Sequence, residues 1–330
     1  MTKDEIALIN SAVDQVYKHT ENIGGKGVTE EFLAMIHQEI PLDKAMKIPD
    51  ARKAVNKEWD KLDDIKAWDF STVESKWKVR KRANDQKKIV HFGTVRALCH
   101  KKNAQLGQEF WIYKGRVVFR GDIVKDQDGN WAVWNEQGTS ASHLMAARFV
   151  DAIARFPGMD GEGSDATGAY TQTFLGKDCP ETWISLPRDR HPASWYHPDG
   201  TCKYEEPVIR LVRNLYGHPM AGLYWAQFCD ENVRKVGFEP VVGWECLYKH
   251  PKDGLILSIY VDDFKLGGRK DKLKPMWEKL GRYLKLDPPQ KLQNNVYLGM
   301  KQQECPVDPT IIAEKNELYR RIFEGKCDNS

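Results

Sequence analysis

A chain of 330 residues with 41% hydrophobic and 29% charged residues is long enough to bury a sizeable core, and two or three subdomains are expected of it. No run of about 18 apolar residues is present, which excludes an apolar membrane-spanning helix, and no membrane partner is expected. The net charge of +3 is too small to name a partner by itself.

In chain order, Ile6, Ile9, Val13, Val16 and Tyr17 recur at helical spacing before Gly24-Gly25-Lys26-Gly27 breaks the pattern, so residues 1–45 are expected to be a helical segment of unknown role. The N-terminus has acidic residues and no apolar core, unlike a secretory signal or a basic transit peptide. An intracellular, reducing setting is therefore expected, with cytoplasm and nucleus not distinguished. The seven cysteines (Cys99, Cys179, Cys202, Cys229, Cys246, Cys305 and Cys327) include no Cys-x-x-Cys pair and are expected to be free thiols.

A second helical pattern runs from Ile48 to Trp68 through Ala54, Val55, Trp59, Leu62 and Ile65. Between Lys76 and Lys102, Lys76, Lys78, Arg80, Lys81, Arg82, Lys87, Lys88, Arg96, Lys101 and Lys102 face only Asp85, a local excess that attracts a phosphate backbone. The competing reading of that run is a solvated surface loop. Residues 110–121 are rich in aromatic and β-branched side chains and stop at Gly121, as a strand does. Asp126 to Asn130 is a turn, and Ser142 to Phe156 a helix.

Pro, His, Asp and Gly crowd residues 177–204, which predicts an irregular excursion. A zinc clip from Cys179, His191, His197 and Cys202 matches no common ligand spacing, so these are expected to be loop residues. Ala221 to Val236 carries an apolar stripe and ends at Gly237, a helix with its stop. Leu255 to Val261 is a buried strand, Phe264 to Gly268 a second short one, and Lys272 to Leu286 a helix.

The strongest anomaly is Tyr260-Val261-Asp262-Asp263, where two adjacent carboxylates close an apolar strand. An ordinary hairpin with solvated aspartates accounts for the tetrapeptide alone. Upstream, however, Gly163-Ser164-Asp165 offers a third aspartate able to end a strand, and two neighbouring strands would gather all three. Hard oxygen donors of this kind suit Mg²⁺, and two such ions support in-line nucleotidyl transfer.

Taken together these segments resemble the reverse transcriptase of copia-type LTR retrotransposons. Asp165-x-x-x-Ala169-Tyr170 is similar to the first catalytic motif of that family and Tyr260-Val261-Asp262-Asp263 to its third. Leu211 to Gly217, followed by Ala221 and Trp225, resembles its leucine-tyrosine-glycine segment. Tyr113 to Gly121 resembles its fingers strand, and Val296-Tyr297-Leu298-Gly299-Met300 its primer-grip region. The five motifs stand in order between about Trp59 and Met300, a coincidence much more specific than any one of them.

The resemblance implies an α+β right-hand polymerase fold. Its fingers would lie near residues 59–160 and 180–215 and its palm, an antiparallel sheet packed on helices, near 161–180 and 216–300. Fingers and palm would thus interleave over 46–300, with a partial thumb or connection in 301–330. Template-directed DNA synthesis on an RNA or DNA template with a primer, from deoxynucleoside triphosphates, is the implied function, with Mg²⁺, or Mn²⁺ in its place, as cofactor. Asp165, Asp262 and Asp263 match the metal-binding catalytic triad. Tyr170 matches the gate that excludes a 2′-hydroxyl, with Ala169 beside it. Lys114, Arg116 and Arg120 are candidates for the triphosphate, with Gly217 and Met220 near the nucleotide. Lys87, Lys88, Tyr260, Leu298 and Gly299 are candidates for contact with the nucleic acid.

One departure stands out: Pro219 and Met220 occupy positions where the family usually has lysine and glutamine, and that glutamine can contact the incoming nucleotide. The chain also ends about thirty residues past Met300, too soon for the RNase H domain that normally follows. A non-catalytic transposon remnant, or a domesticated nucleic-acid-binding fragment, is therefore the alternative. A metal-dependent nuclease shares the carboxylates without needing Tyr170. Oligomeric state is not legible.

Overall fold

The structure is a computed structural model that describes residues 37–134, 141–176, 179–292, 296–297, 300–301 and 308–323. The expected helix at residues 6–17 therefore lies outside the described residues. The chain divides into two compact units, Met1–Lys61 with Ala97–Val117 and Leu62–Arg96 with Val118–Ser330.

The first unit contains β1 (Gln38–Ile40), α1 (Leu42–Ala45) and most of α2 (Pro49–Asp64). Proline at the first helical position needs no amide partner, and Ala51, Val55, Trp59 and Leu62 recur on one buried stripe. The predicted helix continued to Trp68. The chain instead reverses at Lys66, whose φ is 53°, and Trp68 opens β2 (Trp68–Ser75) with its indole Nε1 donating to Asp63 Oδ1 at 2.9 Å. In the first unit, β1 pairs antiparallel with the second half of β3 (Val90–Lys102), Gln38 opposite Lys101 and Ile40 opposite Cys99.

The basic run is not a loop. It folds as α3 (Lys76–Asp85) followed by β3, because Val79 and Ala83 give α3 an apolar stripe that packs with Val90, Phe92, Trp183 and Val208. Lys87, at φ 51°, takes the left-handed position that ends the helix, while Lys87 N donates to Asn84 O and Lys88 N to Ala83 O. The residues predicted as an irregular excursion contain β6 (Glu181–Ser185), which runs parallel to β3 and antiparallel to β7 (Pro207–Leu211). β7 in turn pairs with β2. The strand expected over residues 110–121 forms as β4 (Ile112–Phe119), beside β3.

The second unit also holds an antiparallel sheet in the order β12-β5-β11-β10-β9-β8. Its strands are β5 (Met159–Asp165), β8 (Glu239–Pro240), β9 (Leu247–His250), β10 (Leu255–Tyr260), β11 (Asp263–Arg269) and β12 (Gln290–Lys291). On one face lie α5 (Ala221–Lys235) and α6 (Lys270–Leu280), whose Trp225, Cys229, Val233, Leu273 and Met276 share a core with Leu257, Ile259, Phe264 and Leu266. On the other lies α4 (Leu144–Ile153), where Lys265 of β11 reaches Asp151, and Ser258 of β10 reaches Ser142 just before that helix. β10 is thus covered on both faces, which explains why its residues are apolar on both sides apart from Ser258. Within the Cys179–Cys202 set, both ring nitrogens of His191 are engaged, by Tyr196 Oη and Leu186 O. β13 (Val296–Tyr297) and β14 (Met300–Lys301) pair antiparallel, and α7 (Pro309–Phe323) follows. The molecule is a mixed α/β protein with sheets and helices, compatible with the α+β class. Among the described residues no helix is long and apolar enough to cross a membrane.

Candidate active site

Antiparallel pairing of β5 with β11 sets Asp165 directly opposite Asp263. Tyr260 also stands opposite Asp263 across the β10–β11 hairpin, so Val261 and Asp262 form a two-residue turn. Tight hairpins need φ > 0 at such positions, and Val261 takes it at 56° although it is β-branched, an uncommon and strained choice. Two bonds hold the strained peptide: Trp225 Nε1 donates to Val261 O, and Ala166 N donates to Asp262 O, each at 2.7 Å.

The carboxylates repel one another. Partial burial, the charges of Asp165 and Asp262 and a hydrogen bond shared with Asp165 push the Asp263 carboxyl up to about 7. Among the described residues no ion pair joins Asp165, Asp262 or Asp263 to a cation. Nor, among those residues, do three His, Cys, Asp or Glu side chains already stand as a metal-holding set. The donors themselves fit a hard divalent cation: all are carboxylate oxygens, and uncompensated negative charge is what such an ion relieves.

A second clip comes from the segment after α6. Asp287 N donates to Asp165 O at 2.8 Å, Ser164 Oγ donates to Asp287 O, and Thr167 Oγ1 donates to Asp287 Oδ1, both at 2.6 Å. Asp287 was not singled out from the sequence, and nothing local marks it, because the partners are brought together only by the fold. Lys265 was missed too. It is 1% exposed two residues beyond Asp263, and its Nζ donates to Asp151 Oδ1 at 2.8 Å.

Tyr170 is half-buried in the short turn Ala169–Gln172 that follows β5, with its ring 4.8 Å from that of Tyr216. Burial, with smaller contributions from Tyr216 and Asp262, raises its phenol above the ordinary range. With Trp225, Cys229 and Val261 it lines a small cavity behind the turn. Ala169 is buried at 1% exposure and Met220 at 9%, Met220 preceding α5 with its N–H donated to His218 Nδ1. Gly217, at φ 85°, lies against the Phe119 carbonyl, where any Cβ would collide.

The other candidates belong to other elements. Arg120 is paired with Asp122 at 2.8 Å. Lys114 and Arg116 belong to the first unit, where desolvation and the neighbouring cations Arg116 and Lys102 lower Lys114. Lys87 and Lys88 are exposed beyond α3, and Tyr260 is 39% exposed at the end of β10. Leu298 and Gly299 lie outside the described residues. Of the cysteines, Cys99, Cys179, Cys202, Cys229 and Cys246 form no disulfide among the described residues, while Cys305 and Cys327 lie outside them. Comparison with protein families finds no match for this chain, and comparison with curated proteins finds no significant match.

Proposed function

We propose that this chain is a template-directed DNA polymerase of the copia-type reverse transcriptase kind. The observation that carries the reading is the pairing of Asp165 with Asp263 beside the strained turn that holds Asp262. Such a concentration of uncompensated carboxylate destabilises the fold and is retained where a cation uses it. In this reading the antiparallel sheet is the palm, and the strands around β3 with α3 are the fingers of a right-hand fold.

Asp165, Asp262 and Asp263 would hold magnesium, with manganese as substitute, which when bound activates a primer 3′-hydroxyl and neutralises leaving pyrophosphate. The chain's own residues do the rest. The Val261 turn, fastened by Trp225 and Ala166, fixes where the carboxylates sit. Tyr170, braced by Tyr216, fills the space a ribose 2′-hydroxyl would need. Lys114, Arg116 and Arg120 are proposed as triphosphate partners, since planar and cationic donors suit phosphate oxygens. Lys87, Lys88 and Tyr260, together with Leu298 and Gly299, are proposed to meet the template and primer.

The test is primer extension by the purified chain on an RNA and a DNA template, with Mg²⁺ and then Mn²⁺. Extension by the template's sequence supports the reading, and its absence with both metals and both templates removes it. A specific observation favours a second reading, a nucleic-acid-binding remnant without synthesis: Met220 is buried where the family usually presents glutamine. Retained template-primer binding without extension is the outcome that reading expects.

A further inference from the structure

Away from the carboxylates, the loop between Val124 and Ala132 folds back on itself: Ala132 N donates to Val124 O and Asp126 N to Asn130 O. It docks along β3, with Phe92 N donating to Lys125 O at 2.7 Å and Lys125 N to Phe92 O at 3.0 Å. Lys125 and Trp131 face each other across this hairpin, the ammonium 5.1 Å from the indole centroid. Trp131 is 62% exposed, an unusual place for the largest apolar side chain unless a partner covers it.

The cations continue from there. Phe92, next to Lys125, lies under Lys76 Nζ at 5.8 Å and Arg80 Cζ at 5.7 Å. Lys88 is exposed two residues before β3 begins at Val90. Lys76 is paired with Glu206, but Arg80, Lys88 and Lys125 have no carboxylate partner among the described residues, and Arg80 Nε is buried without an acceptor. The acids of the hairpin do not cancel them: Asp126 accepts from the amides of Asp128 and Asn130, and Asp128 accepts from Gln127.

An exposed ring flanked by unpaired cations matches a base beside its phosphates better than it matches an acidic peptide, which offers charge and no flat apolar face. We propose that this strip, Trp131–Lys125–Arg80 with Lys88, is a track for single-stranded nucleic acid on which Trp131 stacks one base. That it carries the unpaired template ahead of the primer rests on the polymerase reading. The strip's affinity for single strands does not.

The experiment measures binding of the full chain to a labelled oligo-dT, a primer–template with a 5′ overhang, and a blunt duplex. Trp131→Ala is expected to weaken the first two by about 5- to 150-fold and leave the blunt duplex unchanged, with Trp131→Phe retaining most of the affinity. Lys125→Glu should make the salt dependence of oligo-dT binding shallower. Oligo-dT binding by Trp131→Ala equal to the parent's overturns the proposal, as does equally Trp131-dependent binding of polyglutamate. Primer extension is run in parallel. A parent that extends no primer but loses oligo-dT affinity on Trp131→Ala leaves the strip standing and the polymerase reading fallen. An extending parent with a silent Trp131→Ala gives the reverse.

Discussion

Asp263 faces Asp165 across two strands and follows Asp262 in the chain, and its carboxyl is pushed up to about 7 by burial and by both neighbours. In the unfolded chain an aspartate titrates near ~4, so the proton is held more tightly when the protein is folded. The protonated site is therefore the stable one: its contribution is complete below ~4 and is lost as pH rises through about 7. The metal-free chain is expected to melt at a lower temperature at pH 8 than at pH 5, and Asp263→Asn to flatten that decline and raise the midpoint at pH 8. Each 1 kcal/mol regained corresponds to about 2–4 °C in a domain of this size. Thermal melts across pH, with and without Mg²⁺, check this, and a parent whose midpoint does not fall over that window contradicts it. Tyr170 belongs to the same scale. On the proposed function, removing its ring would open space beside the sugar without touching a carboxylate, so Tyr170→Ala should raise ribonucleotide incorporation relative to deoxynucleotide. Unchanged discrimination would remove Tyr170 from the gate.

Among the elements, the Gly217 turn joins β7 to α5 by passing against the backbone of Phe119, at a φ of 85°. Gly217→Ala has to relieve both a collision and a left-handed strain, at a cost of about 1–3 kcal/mol or more, read as a lower urea midpoint with unchanged slope. An alanine variant as stable as the parent would mean that the turn yields easily. The elements also differ in how much of them the sequence disclosed. α5 was legible because its stripe has one period and Gly237 ends it with a capping pair, Gly237 N to Arg234 O and Phe238 N to Val233 O. The strand before Asp262 was legible because both its faces are covered and its run is apolar on both sides apart from Ser258. β6 was hidden because five residues of strand sit among Pro, His and Asp, and only pairing with β3 and β7 makes them one. β2 was hidden by Trp68, an apolar residue at helical spacing that the reversal at Lys66 turns to another use. At the site, adjacency announced Asp262 and Asp263, whereas Asp287 and Lys265 act through residues 122 and 114 positions away, which no local pattern reveals.

At the scale of the whole molecule, a net charge of only +3 conceals a surface on which Lys87 and Lys88 stand exposed beyond α3. Each phosphate contact releases counterions, with a log–log salt slope of about 0.7–0.9 per contact. Charge reversal at Lys87 and Lys88 should therefore make the slope of template–primer binding shallower, and an unchanged slope would make this face merely solvated. Binding and chemistry are separable in this account, since cations remote from the carboxylates supply most of the affinity. Asparagine keeps the shape of aspartate and removes its charge. The most direct test is accordingly the rate of single-nucleotide addition by the parent, Asp165→Asn and Asp262→Asn, with template–primer affinity measured on the same samples. The expected result is affinity within a few-fold of the parent, as roughly 10²–10³-fold or more of the rate is lost in each variant. Parental rates in both variants with binding unchanged would contradict the assignment of these carboxylates to catalysis.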